Sequence, residues 1–165
     1  MRLTTVPPTL VAGASTLPAA FERAFGVPTL RRLHGDAVDA TPWRKSSRKV
    51  DFDMSVSGVP SECRRFFCGD RLRVSTTQTA AVHGEDAISV RVKMRMHFVG
   101  SELFIVRPRY RLVPAPGGVG VHLLAEVENH ALLPPPLCNV VEAFMDASSR
   151  AQLQRLAADV ETEGG

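Results

Sequence analysis

Between residues 50 and 127 the chain writes five strands of alternating apolar and polar residues in succession, and it then closes with one long amphipathic helix. The clearest alternation sets Ile88, Val90, Val92, Met94, Met96 and Phe98 on one face against Ser89, Arg91, Lys93, Arg95 and His97 on the other. A period of two held over that length describes a curved antiparallel strand with one dry and one wet side. A sheet of such strands facing a single helix encloses an elongated apolar interior, which is either a solid core or a pocket.

The rest of the sequence sets bounds on this picture. A chain of 165 residues is expected to form one domain, residues 9–161, between a loose tail at 1–8 and a short one at 162–165. At that size roughly 70% of the unfolded surface is buried, enough for a core with or without a hole in it. Apolar residues at 44% and charged residues at 22% are ordinary for a globular domain and point away from disordered and fibrous classes. There is no run of about 18 apolar residues, so no membrane-spanning helix is expected. Residues 1–17 read poorly as a secretory signal. Cys63, Cys68 and Cys138 make an odd set with no framework spacing, so reduced thiols in a cytoplasmic protein are the expectation.

Read along the chain, Ser15 or Thr16 can cap a first helix that carries Pro18 in its first turn and stops at Gly26. A second short helix from about Pro28 is expected to end at Gly35. Strands follow at 38–43, 48–57, 71–82, from Ile88, at 102–113 and at 119–128. The strand from Ile88 turns back through Gly100-Ser101, a pair that two-residue hairpin turns favour. Pro108 cannot donate to a ladder and should mark an edge or a bulge. Asn139 with Glu142 has the form of a capping box, which starts the last helix near Val140 and carries it to about Glu161. Its first stripe is Leu137, Val140, Val141, Phe144, Ala147, Ser148 and Ala151. Beyond Phe144 those side chains are small, so either the helix sits very close to the sheet or a cavity remains. Leu153, Leu156, Ala157 and Val160 lie on another side, for contact with the N-terminal helices or a second chain.

The fold class is therefore α+β: a curved antiparallel sheet of six to seven strands wrapped around a long C-terminal helix, with two short helices near the N-terminus. The strand phases make Phe52, Met54, Val74, Thr76, Gln78, Val92, Met94, Met96, Tyr110, Leu123, Val141, Phe144 and Ser148 the candidate wall of an interior pocket. Thr76 and Gln78 are polar residues turned inward. An unpaired buried amide costs about 1 to 3 kcal/mol, so each needs a neighbouring residue, a water or a ligand group. Met54, Met94 and Met96 suit a pliable wall and serve equally well as core filler.

Net charge is only +3, too small to imply a nucleic-acid protein. Its placement is uneven, with Arg91, Lys93 and Arg95 on one strand face and Arg107, Arg109 and Arg111 on a face of the next. Those six are either a solvated sheet face or an attraction for an anionic membrane or acidic partner, each cation near such a surface contributing about 1 kcal/mol. Arg64 and Arg65 precede Phe66 and Phe67 in a long connection, where the rings can enter a bilayer interface or fold under as a lid. The five histidines 34, 83, 97, 122 and 130 show no metal spacing, and Asp51 and Asp53 face water. No catalytic residue, metal or cofactor is expected.

The order of elements resembles the helix-grip fold of the START-like superfamily, which includes the plant Bet v 1 type proteins, polyketide cyclases and VASt sterol-transfer domains. Within it, Thr41-Pro42-Trp43, Arg48-Lys49-Val50-Asp51-Phe52 and Arg71-Leu72-Arg73-Val74-Ser75-Thr76-Thr77-Gln78 are similar to the VASt pattern. The resemblance implies a sheet that grips the long helix around an apolar cavity, with residues 58–69 as the gate. A carrier or sensor of a hydrophobic small molecule, a lipid or a sterol, peripheral to a membrane, is the leading expectation. A cyclase or aromatase-like enzyme and a protein-binding adaptor with a filled core are the alternatives.

Overall fold

A computed structural model describes residues 1–56, 58, 59, 61, 64, 67 and 69–162. The elements run β1 (Arg2–Thr5), β2 (Thr9–Leu10), α1 (Leu17–Phe25), α2 (Val27–His34), β3 (Asp39–Ala40), β4 (Ser47–Ser55), β5 (Arg71–His83), β6 (Ala87–Met96), β7 (Phe104–Pro114), β8 (Val121–Ala131) and α3 (Leu137–Val160). The strands form one eight-stranded antiparallel sheet in the order β1-β8-β7-β6-β5-β4-β3, with β2 also on β8. Among the described residues no helix is long and apolar enough to cross a membrane.

Local chemistry explains most boundaries. The Thr16 side chain accepts from the Ala19 amide and caps α1, while Gly35 closes α2 at φ 89°, a left-handed value that favours glycine. At about 1.5 Å per residue α3 is roughly 36 Å long, enough to lie along the whole sheet. Arg23 and Arg32 clamp its end, donating to Asp159 at 3.1 and 2.6 Å. Burial alone would raise the Asp159 pKa, but the hydrogen bonds from those two guanidinium groups outweigh it and hold the carboxyl below its ordinary value.

Four expectations are corrected. Residues 1–8 are not all tail: Arg2–Thr5 add a strand to the edge of β8, with Thr4 fully buried and its hydroxyl bonded to Asp146. Four residues are too few for a periodicity to register, so pairing with β8 decides their conformation. The last helix begins at Leu137 behind Pro136, and Glu142 does not cap it. The Glu142 carboxylate accepts from the Ala131 amide at 3.2 Å, tying the helix to the end of β8.

The buried stripe of α3 is Val141, Met145, Ser149, Leu153, Leu156 and Val160, whereas Val140, Ala147 and Ala151 are exposed. Leu153 packs on Ala125 and Val127 of the sheet, and Leu156 and Val160 join Leu17, Ala20, Ala24 and Phe25 of α1. Alanine and serine carry little apolar signal, so the true i, i+4 row was masked by a parallel row of small residues. Gly100-Ser101 is not a two-residue hairpin turn. Gly100 is left-handed at φ 87°, Ser101–Leu103 form a 3-10 turn, and seven residues, 97–103, connect β6 to β7.

Candidate functional site

Between the concave face of the sheet and α3 lies an apolar cavity of about 180 Å³. Its sheet wall comes from inward positions of β4 to β8, and its helix wall from Val141, Phe144, Met145, Ser148, Ser149, Gln152 and Leu153. Of the residues placed on the wall from sequence, Phe52, Met54, Thr76, Gln78, Val92, Met94, Met96, Tyr110, Val141, Phe144 and Ser148 border the cavity. Val74 and Leu123 do not. Both are buried behind the wall, Val74 packed with Leu30, Val50, Phe52 and Leu72, and Leu123 with Val11 and the α1 side chains. Inward phase selects a face of a strand, but the covering helix or loop decides whether that face meets packing or space.

The polar groups of the wall fall at defined places. The Thr76 hydroxyl donates to the Val50 carbonyl at 2.8 Å, so its proton is already used by the neighbouring strand. Gln78 is held from the opposite strand, where Arg48 Nε donates to Gln78 Oε1 at 2.7 Å. A guanidinium has donors only, so the oxygen of Gln78 must face Arg48, which leaves the amide nitrogen as the group not engaged by it. Among the described residues that nitrogen makes no hydrogen bond.

Arg48 itself is 5% exposed, stacks 4.5 Å from the Trp43 ring centroid and has no carboxylate partner among the described residues. Its Nη2 is buried without a partner. Burial lowers its pKa to about 10, which leaves it charged at neutral pH. Arg48 shares the inward phase of Val50 and Phe52, a signal the sequence carries but a charged residue makes easy to overlook.

Three further wall groups add chemistry. His34, at the end of α2, stacks on Phe52 with ring centroids 3.9 Å apart and 15° between planes. Burial first, and then the nearby Arg155 charge, lower its pKa to about 4, so the imidazole is neutral at pH 7. Tyr110 packs edge-on to Phe25, and burial pushes its pKa up to about 12. Asn129 Nδ2 donates to Ser149 Oγ at 2.9 Å, and Asn129 Oδ1 is buried without a partner. His34, Asn129, Ser149 and Gln152 were not anticipated. His34 lies on a short helix rather than in the sheet, and Asn129 lies past the part of β8 where alternation was read.

Of the expected gate, Val59 is 4% exposed and borders the cavity together with Phe67. The Phe67 ring turns inward, 4.8 Å from Phe98, which in turn lies 5.3 Å from Phe104. Arg64 is exposed. Arg65, Phe66, Cys63 and Cys68 lie outside the described residues, and the Cys138 thiol donates to the Ala131 carbonyl at 3.3 Å. On the outer sheet face Arg91, Lys93, Arg95, Arg107, Arg109 and Arg111 are all exposed. Glu126 and Glu128 of β8 partly neutralise the β7 set, through Arg109–Glu126 at 3.1 Å, Arg107–Glu128 at 3.2 Å and Arg109–Glu128 at 3.3 Å.

No family model and no curated protein matches the chain. Solved structures do. TTHA0849 from Thermus thermophilus aligns over 99% of this chain and 100% of its own at a TM-score of 0.61 and 11% identity. The fold is helix-grip-like. The di-domain ARO/CYC StfQ from the steffimycin biosynthetic pathway aligns over 96% of this chain and 51% of its own, with a TM-score of 0.55 and 14% identity. Mll3558 from Rhizobium loti aligns over 96% of both chains at 0.52 and 15%. Identities this low carry the sheet-around-helix architecture and nothing of the chemistry.

Proposed function

We propose that this protein binds a hydrophobic small molecule inside the grip of its sheet and α3, as a carrier or sensor in the manner of the START-like domains it resembles. The observation that carries the reading is the apolar space of about 180 Å³ at the centre of the fold. Cores normally pack to near crystal density, and an apolar void of about 150 Å³ is large enough to take benzene. A space of this kind forfeits dispersion contacts that its wall would make with a guest. Its volume suits a single ring or a short chain. A whole sterol would require the lid at Val59 and Phe67 to move.

Gln78 would fix the guest's orientation. Because Arg48 holds the amide oxygen, the group offered to the guest is an N–H donor, which favours a guest bearing a carbonyl or another acceptor. Titration calorimetry with small aromatic ketones against their hydrocarbon analogues tests this. A ketone preference that disappears in Gln78→Leu, with the fold intact, is the expected result. Absence of binding by every hydrophobic probe would end the proposal.

A second reading, an aromatase or cyclase-like enzyme, is favoured by one observation: a neutral His34 imidazole and the Tyr110 side chain border the same cavity. The likeness in fold to the ARO/CYC StfQ accords with it. A pKa near 4 makes His34 a weak base, so the binding reading stands first. Turnover of a linear poly-β-ketone that is lost in His34→Ala would reverse that order.

A further inference from the structure

The seam between β6 and β7 is incomplete. β6 pairs with β7 only from Ile88↔Leu112 to Arg91↔Arg109. Yet β6 stays on β5 as far as Met96↔Val74, and β7 stays on β8 as far as Phe104↔Ala131. From Val92 and Pro108 onward the two strands share no ladder pairs, while each keeps its other neighbour. Pro108, which has no amide proton, stands at the point of separation. Where the ladder stops, the strands are no longer held by backbone hydrogen bonds at the spacing of about 4.8 Å that closes a sheet.

Two spaces meet at this seam. Val92, Met94, Met96, Phe104, Val106 and Pro108 border the interior cavity, and the same six border a groove of about 1,270 Å³ on the outer sheet face. The groove carries Lys49, Arg91, Lys93, Arg95, Arg107 and Arg109 on its wall, against the carboxylates Asp51 and Glu102. Arg107 and Arg109 are answered by Glu126 and Glu128, but Arg91, Lys93 and Arg95 have no ion-pair partner among the described residues. Arg91 stands directly across from Arg109, and of the two only Arg109 is answered by a carboxylate among the described residues.

Resting on the cavity reading above, we propose that the β6–β7 seam is the portal of the cavity and that it admits a single-chain anionic amphiphile tail first. The alkyl tail threads between Met94 and Val106 into the interior. The carboxylate head stays outside, hydrated and held by Arg91, Lys93 and Arg95. This division follows from cost: a carboxylate drawn into an apolar cavity without a paired cation is strongly penalised, whereas at a cationic rim it keeps its water.

The test is titration calorimetry of the whole protein with decanoate and with decan-1-ol, which share a tail and differ in charge. Decanoate is expected to bind about tenfold tighter at low salt, as three rim cations acting together would give. That margin should shrink as ionic strength rises from about 0.02 to about 0.3 M, since salt screens the attraction between exposed charges. The triple variant Arg91→Gln, Lys93→Gln, Arg95→Gln should lose the margin for decanoate and leave decan-1-ol unchanged. All three positions are exposed, so the variant keeps its fold. Equal affinity for the two probes, or a triple variant that still prefers decanoate, overturns the portal while leaving the cavity reading in place. Binding of neither probe overturns the cavity reading itself. Capture on anionic phospholipid vesicles with no uptake of decanoate would make the face a membrane-docking surface and also overturn the proposal.

Discussion

Ser148→Leu separates a real cavity from a well-packed interior. Ser148 is half-buried on α3, borders the cavity, and makes no hydrogen bond among the described residues. Leucine would replace a hydroxymethyl by an isobutyl group and so place two to three more methylene equivalents in the void, worth about 2 kcal/mol at about 0.8 kcal/mol each. Fixing the leucine rotamer takes back about 0.5 to 1 kcal/mol, and the better helix propensity returns a few tenths. The net is a stabilisation of about 1 to 1.5 kcal/mol, which for a domain of this length raises Tm by roughly 2 to 6 °C. The same side chain occupies guest volume, so affinity for any hydrophobic probe should fall at least about tenfold, the trade between stability and function seen where a site is kept open. Differential scanning calorimetry and a binding titration on one preparation measure both. A loss of more than about 1 kcal/mol, as overpacking gives, or an unchanged affinity, would refute the reasoning.

Other consequences can be checked with simple variants. His34 is held neutral with a pKa near 4 against 6.5 for the free side chain, so stability is complete above pH 6.5, declines as the pH falls toward 4 and levels off below it. The drop is at most about 3 kcal/mol in urea melts, and His34→Gln should flatten that window; an equal slope in the variant would assign it elsewhere. The buried Arg48 lacks a counter-charge among the described residues, so Arg48→Met with Gln78→Met should be neutral to about 4 kcal/mol more stable, and a marked loss would mean that the pair contributes net stability. Phe67→Ala removes a half-buried lid ring and should destabilise by about 1 to 3 kcal/mol while speeding guest exchange. Stopped-flow release at an unchanged rate would deny Phe67 that role.

The sheet was legible because its strands alternate over nine or more residues, and β5 and β6 carry inward and outward sets that no helix could sort. The caps at Thr16 and Gly35 were legible because a hydroxyl and a left-handed glycine are local devices. What escaped is non-local. β1 exists because β8 offers an edge, and the early end of the β6–β7 ladder depends on which neighbours each strand keeps in the folded sheet. The inward direction of Arg48 was written in its phase with Val50 and Phe52, but its tolerance inside depends on Trp43 and Gln78, which only the folded chain brings to it. On α3, Ala147 and Ala151 looked like core and are exposed, whereas Ser149 looked neutral and is buried against Asn129.

The chain has five methionines, and four of them, Met54, Met94, Met96 and Met145, border the cavity, while Met1 is 69% exposed. Methyl NMR of protein labelled at the methionine methyl groups, titrated with a small hydrophobic guest, therefore reads the interior directly. The four cavity methyls should shift together and saturate at one equivalent, with Met1 unmoved. Four unmoved methyls in the presence of excess guest would contradict an interior that takes up a ligand.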